Sequence, residues 1–354
     1  MTAVHSLSVL ICTFNRSAFL RETLRALSDA PCPAECDVEI VVVDNNSTDD
    51  TRLVVADIAA RSRRPIRYAL EPRQGKSFAL NHGLNLVRGD VLALTDDDVL
   101  IAPEWIARLV EAFESRDVTY VFGKVLPRWG ALPPPELLTR RGRDVWGPLA
   151  LVDYGDEPVD YDEATFERRP FPIGANLAFS REAVRRVGGW RTDLGKVNNT
   201  LISGEDHEIF YRLREAGLYR GYYDPELVVR HYVPPQRLTR RYFRRWFFWH
   251  GRTLARMNRA IHPNLDWSQV AHIAGVPRYM YRELLVQTGR WIRRFFTTDA
   301  LGLLIEEMRW IEHVGYFAEC WRLGPVSRHP AGSRRDSSAA EMKRNLEELK
   351  HGTL

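Results

Sequence analysis

Cysteine and long apolar runs are scarce in this chain, and each scarcity narrows the reading. Four cysteines (Cys12, Cys32, Cys36 and Cys320) in 354 residues are too few for a disulfide framework. Cys12 lies in an apolar run, where a buried free thiol is expected. Cys32 and Cys36 have no second His/Cys pair nearby and make a poor zinc site. A reducing cytoplasm fits that usage. No stretch of about 18 apolar residues occurs, so no membrane-spanning helix is expected. The start, Met1–Asn15, lacks a basic segment and a small-residue cleavage site, and reads as a strand rather than a signal peptide. No GxGxxG follows that strand, which argues against a dinucleotide-dependent oxidoreductase.

What is present is ordinary globular composition, 45% hydrophobic and 27% charged, in a chain long enough for one large domain with an appendage or for two domains. The charge is uneven. Residues 1–233 hold 29 Lys+Arg against 35 Asp+Glu, whereas residues 234–330 hold 16 Arg, no Lys and 7 acids. An acidic front and a basic, aromatic back suggest different partners for the two regions.

Leu7–Thr13, Val38–Val43, Ile66–Leu70 and Val91–Thr95 are short apolar runs that read as buried parallel strands. Between them, Ala18–Ala30, Thr51–Arg61 and Ser77–Val87 carry helical spacing. This alternation predicts an α/β fold with a doubly wound sheet flanked by helices. Right-handed crossovers set the strand C-termini along one edge, where such sheets bind ligands. A Pro-rich segment (Leu132–Glu136) and the stretch Gly142–Pro172 interrupt the pattern and read as a flexible acceptor-side loop. Ile173–Phe179 resumes as a strand, Arg181–Val187 as a short helix, and Asp206–Ala216 as a helix stopped by Gly217.

Five groups can carry chemistry. Asp96-Asp97-Asp98 ends a buried strand, and three adjacent carboxylates repel unless a cation or donors hold them; oxygen ligation suits Mg²⁺ or Mn²⁺. Alone, the run is equally a solvated turn capping the next helix. Asp44 emerges at another strand end, where it can accept from a ribose or a base, while Ser47 or Thr48 can simply cap a helix. Gly75 and Lys76, with Arg73, open a helix in an anion-friendly way, although the spacing is not that of a Walker loop. Glu205-Asp206 begins a helix, a place for a tuned general base or for plain dipole stabilisation. His231 ends a strand-like run; a lone histidine is more often structural, but an ion at the aspartates would want such a ligand.

Taken together and in this order, SVLICTFNR (Ser8–Arg16), IVVVDNNST (Ile40–Thr48), QGKSFALN (Gln74–Asn81), GDVLALTDDD (Gly89–Asp98), GANLAF (Gly174–Phe179), Gly188-Gly189-Trp190 and GEDHEIFYRLREAG (Gly204–Gly217) resemble the family 2 glycosyltransferases of the GT-A fold, over about two thirds of the chain. The resemblance implies a mixed GT-A sheet and inverting sugar transfer from a nucleotide-sugar, UDP-sugar being the commonest donor, to a glycan or lipid-linked acceptor. It implies that Thr13, Phe14, Asn15 and Arg16 line the nucleotide pocket and that Asp44 holds base or ribose. Gly75 and Lys76 then approach the nucleotide, Asp96 faces the ribose or sugar, Asp97 sits between it and Asp98 in the nucleotide-sugar site, with the metal contact open among the three, and Asn176 forms a portion of the floor beneath the sugar. Asp98 and His231 become ligands of a divalent cation, Mn²⁺ or Mg²⁺. Asp206 becomes the base, with Glu205 its helper. A catalytic domain over residues 1–233, a helical extension over 234–329 and a polar tail over 330–354 complete the expected division.

Two rivals are a sugar nucleotidyltransferase, whose Gly-rich loop after the first strand is missing here, and a silent nucleotide-sugar-binding scaffold, against which the full acidic set argues. Tyr242–His250 (YFRRWFFWH), with its flanking arginines, reads either as an interfacial helix at the inner face of a membrane or as a helix packed on the catalytic domain. No nucleic-acid module accompanies the charge.

Overall fold

β1 (Ser6–Thr13) buries both of its faces. Val9 and Ile11 meet Leu20, Leu24 and Leu27 of α1 (Ser17–Asp29) in one core, and Leu10 meets Leu80 and Leu84 of α3 (Lys76–Leu86) in the other. A strand covered on both sides needs a continuous apolar run rather than alternation, which is what LSVLICT supplies. The computed structural model describes residues 4–324 apart from 167, 198–199 and 262–269. The expected tail, 330–354, lies outside the described residues.

β2 (Asp37–Asp44), α2 (Thr51–Ala59), β3 (Ile66–Leu70) and β4 (Val91–Asp96) complete a parallel set in the order β3-β2-β1-β4. Register brings Thr13 opposite Asp44 and Cys12 opposite Asp96, so three strand ends share one edge. Beyond β4 the sheet becomes mixed. β5 (Val99–Ile101) follows directly, then α4 (Trp105–Ser115), β6 (Tyr120–Trp129), β7 (Val159–Tyr161), β8 (Asn176–Ser180), α5 (Arg181–Arg186), α6 (Glu205–Glu215) and β9 (Gly221–Val233). β8 inserts antiparallel between β4 and β6, β9 runs parallel to β6, and β5 closes the far edge antiparallel to β9. The sheet is thus the mixed, helix-flanked one expected.

The stretch read as a flexible loop is instead packed. Short 3-10 turns at Pro135–Leu138, Arg141–Val145 and Gly147–Leu149 bury Leu137, Val145, Trp146 and Leu149 in the core shared with α1. The Trp146 indole donates to the Leu137 carbonyl at 3.0 Å.

After β9 come α7 (Arg240–Ile261), α8 (Arg278–Arg294) and α9 (Ala300–Leu323). α7 and α9 cross closely: a Cβ on Gly251 would overlap the Glu312 carbonyl, and one on Gly315 the Phe248 carbonyl. The arginines of α7 meet acids of α9. Arg240 and Arg244 bind Glu307, while Arg252 and Arg256 bind the fully buried Glu319. Much of the basic, aromatic segment is therefore an inter-helix seam. No helix among the described residues is long and apolar enough to cross a membrane.

Candidate active site

Antiparallel pairing of β5 with β9 sets Val99 opposite His231, and the tight turn after β4 carries Asp96, Asp97 and Asp98 to the same place. Asp96, Asp98 and His231 each offer a ligand atom, all within 4.8 Å of one another. His231 Nε2 lies 3.2 Å from Asp98 Oδ1. His231 Nδ1 is buried without a hydrogen-bond partner, an expensive state unless something else binds there. Two carboxylate oxygens and an imidazole nitrogen suit Mn²⁺ or Mg²⁺, so the residues fit a divalent ion.

Asp97 turns to the β1 side. Its carboxylate accepts from Thr13 Oγ1 at 2.8 Å and from Arg16 Nη1 at 3.1 Å. The same guanidinium reaches Asp98. Burial raises the Asp97 carboxyl to about 6 despite Arg16, with the neighbouring carboxylates adding to the effect. At Asp98 burial acts in the same direction, but His231 and Arg16 outweigh it and hold the group below the usual carboxylate range. Sharing one backbone turn, the two acids differ in setting: Asp97 is tied to β1 through Thr13, whereas Asp98 faces His231, and Arg16 spans both.

The residues expected to face a nucleotide cluster next to them. Asn15, at φ 53, ties the β1 end to the β2 end: its N–H donates to Ser47 Oγ at 2.9 Å, and its side-chain oxygen accepts from the Thr48 N–H at 2.7 Å. Phe14 is 44% exposed beside it. Asp44 accepts from the Tyr68 hydroxyl and the Ser47 N–H, each at 2.8 Å. Gly75, at φ 144, receives no side chain without crowding Phe78 and Val197. Its N–H donates to Asn45 Oδ1 at 2.8 Å, and Asn45 Nδ2 donates to the Arg73 carbonyl at 2.7 Å. Reading the sequence alone does not single out Tyr68 or Asn45. Asn45 stands within the IVVVDNNST segment, whereas nothing local marks Tyr68.

Lys76 joins this half to the other. Its Nζ is 3.4 Å from Asp96 and 3.8 Å from Glu205. Burial disfavours its charge, yet Asp96, Asp206 and Glu205 overcome that and hold the ammonium well above 10.5. Asp206 takes the Gly174 N–H on Oδ2 at 2.9 Å, leaving Oδ1 without a hydrogen-bond partner. A Cβ on Gly174 would sit 2.9 Å from that carboxylate, so glycine is needed for the approach. Lys76, Asp96, Gly174 and Asp206, with Cys12, line one small cavity of about 10 Å³, room for about one water. Burial first, then the charge of Asp206, raises Glu205 to about 7 against the pull of Lys76.

Asn176 is not brought to this mouth. It is 1% exposed, its Oδ1 accepts from the Trp105 indole at 2.7 Å, and its Nδ2 donates to the carbonyls of Lys124 and Leu227. Its amide is used inside the sheet, and the expected floor residue is a brace.

α7 reaches the site from behind. Gly204, at φ 93, precedes α6, and a Cβ there would stand 2.7 Å from Thr253 and 2.8 Å from Met257. Thr253 Oγ1 also accepts the Ser203 N–H at 3.1 Å.

A mixed sheet with an acidic, cation-fitting cluster at its carboxyl edge is the architecture of GT-A glycosyltransferases. The chain belongs to glycosyl transferase family 2, whose model matches residues 8–188. It is 28% identical over 231 residues to the glucosyl-dolichyl phosphate glucuronosyltransferase of Haloferax volcanii, covering 63% of this chain and 68% of that one. It is 27% identical over 248 residues to the succinoglycan biosynthesis protein ExoM of Rhizobium meliloti, covering 70% and 73%. Among solved structures, the mannosyltransferase PcManGT from Pyrobaculum calidifontis, in complex with GDP-Man and Mn²⁺, shares the fold with a TM-score of 0.52 at 19% identity, covering 96% of this chain and 81% of that one.

Proposed function

We propose that the chain moves a glycosyl unit from a nucleoside-diphosphate sugar, of which a UDP-sugar is the first candidate, to a hydroxyl of a glycan or lipid-linked acceptor, inverting the anomeric centre. One observation carries this reading. The cation-fitting set Asp96, Asp98 and His231 and the half-buried carboxylate of Asp206 meet at one mouth, with Asp96, Lys76 and Asp206 around a single cavity.

Asp206 is the base. Its Oδ2 is anchored by the Gly174 N–H and its Oδ1 has no partner, so Oδ1 can take the acceptor hydroxyl proton. The residue stands in the first turn of α6. As that proton moves to Asp206, the acceptor oxygen bonds to the anomeric carbon. The carbon–oxygen bond to the diphosphate breaks, its electron pair staying on the phosphate. One such displacement inverts the centre. Asp98 and His231, with Asp96, would hold a divalent ion, which as a Lewis acid offsets charge developing on the leaving diphosphate. Thr13 and Arg16 keep Asp97 in place, and Asp44 faces the nucleoside. The relatives named above, one acting on glucosyl-dolichyl phosphate and one in succinoglycan biosynthesis, support a glycoconjugate acceptor.

A panel of nucleotide-sugars, each with Mn²⁺ and with Mg²⁺, tests this by thermal unfolding. One donor is expected to raise Tm only when the ion is present and to be hydrolysed slowly. A panel without any ion-dependent shift overturns the reading.

A further inference from the structure

The carboxyl-terminal helices carry a surface that contributes none of the site residues described above. α8 packs on α9 through Gln287, whose Nε2 donates to the Glu306 carboxylate at 2.7 Å, and through Trp291, stacked on Trp310 with ring centres 5.1 Å apart. The other side of α8 has no such cover among the described residues. Leu285 is 74% exposed, Ile292 52% and, just past the helix, Phe296 85%. Spacings of seven and four set these three on one stripe.

The charge of that side is one-signed. Arg278, Arg282 and Arg293 are exposed and lie beside the apolar stripe, and Arg290 is exposed further round the helix. None of the four enters an ion pair among the described residues, whereas Arg294 is held by Asp299. Glu283 is the only acid in the helix. The contrast with α7 is direct. There, Arg240, Arg244, Arg252 and Arg256 meet Glu307 and Glu319 of α9, so their charge is already answered within the fold. On α8 it is not.

We propose that α8 docks the protein on an anionic bilayer, lying in the headgroup layer with Leu285, Ile292 and Phe296 inserted and the arginines on lipid phosphates. Two features favour lipid over a protein groove. Phenylalanine and long aliphatics alternating with arginine match an interface that is apolar below and phosphate-rich above. Arginine stems can also lie along the apolar stripe while their heads reach the phosphates. Such docking deepens the transfer reading by placing the enzyme where a lipid-linked acceptor resides. It stands or falls separately, because binding is read with neither donor nor acceptor.

The test is flotation of the full chain on phosphatidylcholine vesicles with and without phosphatidylglycerol. The protein is expected to float only with the anionic vesicles. Leu285→Ser with Phe296→Ser, and separately Arg282→Gln with Arg293→Gln, are each expected to weaken that binding on the order of tenfold. Arg88→Gln with Arg140→Gln, the same charge loss on other exposed positions, is expected to leave most of it. Unchanged unfolding curves for the α8 variants would show that the fold is intact, as substitutions at exposed sites predict. Three results overturn the proposal: a wild-type chain that stays at the bottom with both vesicles, equal losses in the α8 and control variants, or a stable dimer in solution that the α8 substitutions convert to monomer.

Discussion

His231 Nε2 stands 3.2 Å from Asp98 Oδ1 because β5 and β9 pair antiparallel at that point. If the two are ligands of one ion, His231→Ala should weaken Mn²⁺ binding by at least about tenfold, the lower end of what disturbing a metal's ligand set costs. Calorimetric titration of Mn²⁺ into the nucleotide-bound protein measures this. An affinity within a factor of two of wild type would remove the histidine from the set.

Asp206→Asn retains the shape of the side chain and its acceptance of the Gly174 N–H, but cannot take a proton. Turnover should fall by roughly 10² to 10⁴, the usual contribution of a general base, while the Kd of the donor stays near wild type. A variant that still transfers sugar at close to the normal rate would mean that another group is the base.

Glu205 carries a pH prediction. Its carboxyl lies at about 7 in the fold, above the ordinary 4.5, so the native state holds a proton that the unfolded state releases. Stability from this group is complete below about 4.5 and declines as pH climbs to about 7. Glu205→Gln should therefore match wild type near pH 4.5 and exceed it at pH 8 by on the order of 1–3 kcal/mol. Urea unfolding at the two pH values reads the difference, and a variant less stable than wild type at pH 8 would contradict it.

Where α7 crosses α9, the backbone leaves no room for a Cβ on Gly251. Gly251→Ala should cost about 1–3 kcal/mol through overpacking, despite the better helix propensity of alanine. A rise in Tm would show that the two helices part more easily than their packing implies.

Much of the fold up to β4 is legible in the sequence because its signals are local. Runs such as LSVLICT and VEIVVV report double-sided burial, and aspartates at strand ends report the ligand edge. β8 and β9 are harder, since their neighbours come from distant stretches. Asn176 illustrates the limit: an asparagine opening a strand looks available, and only the Trp105 indole with the carbonyls of Lys124 and Leu227 reveals that it is not. The arginines of α7 pose the same difficulty. Their acids, Glu307 and Glu319, lie some sixty residues further on, and no spacing rule links the two.

The contact of Thr253 and Met257 with Gly204 bears on how such enzymes can be recombined. Those two side chains form the backstop of the turn that presents Glu205 and Asp206. A chimera exchanging everything after residue 233 for a foreign segment inherits that vacancy, and must refill it with side chains of similar bulk before its carboxylates point correctly. The turn bearing the two acids and the helix behind it are thereby fitted to each other through one glycine.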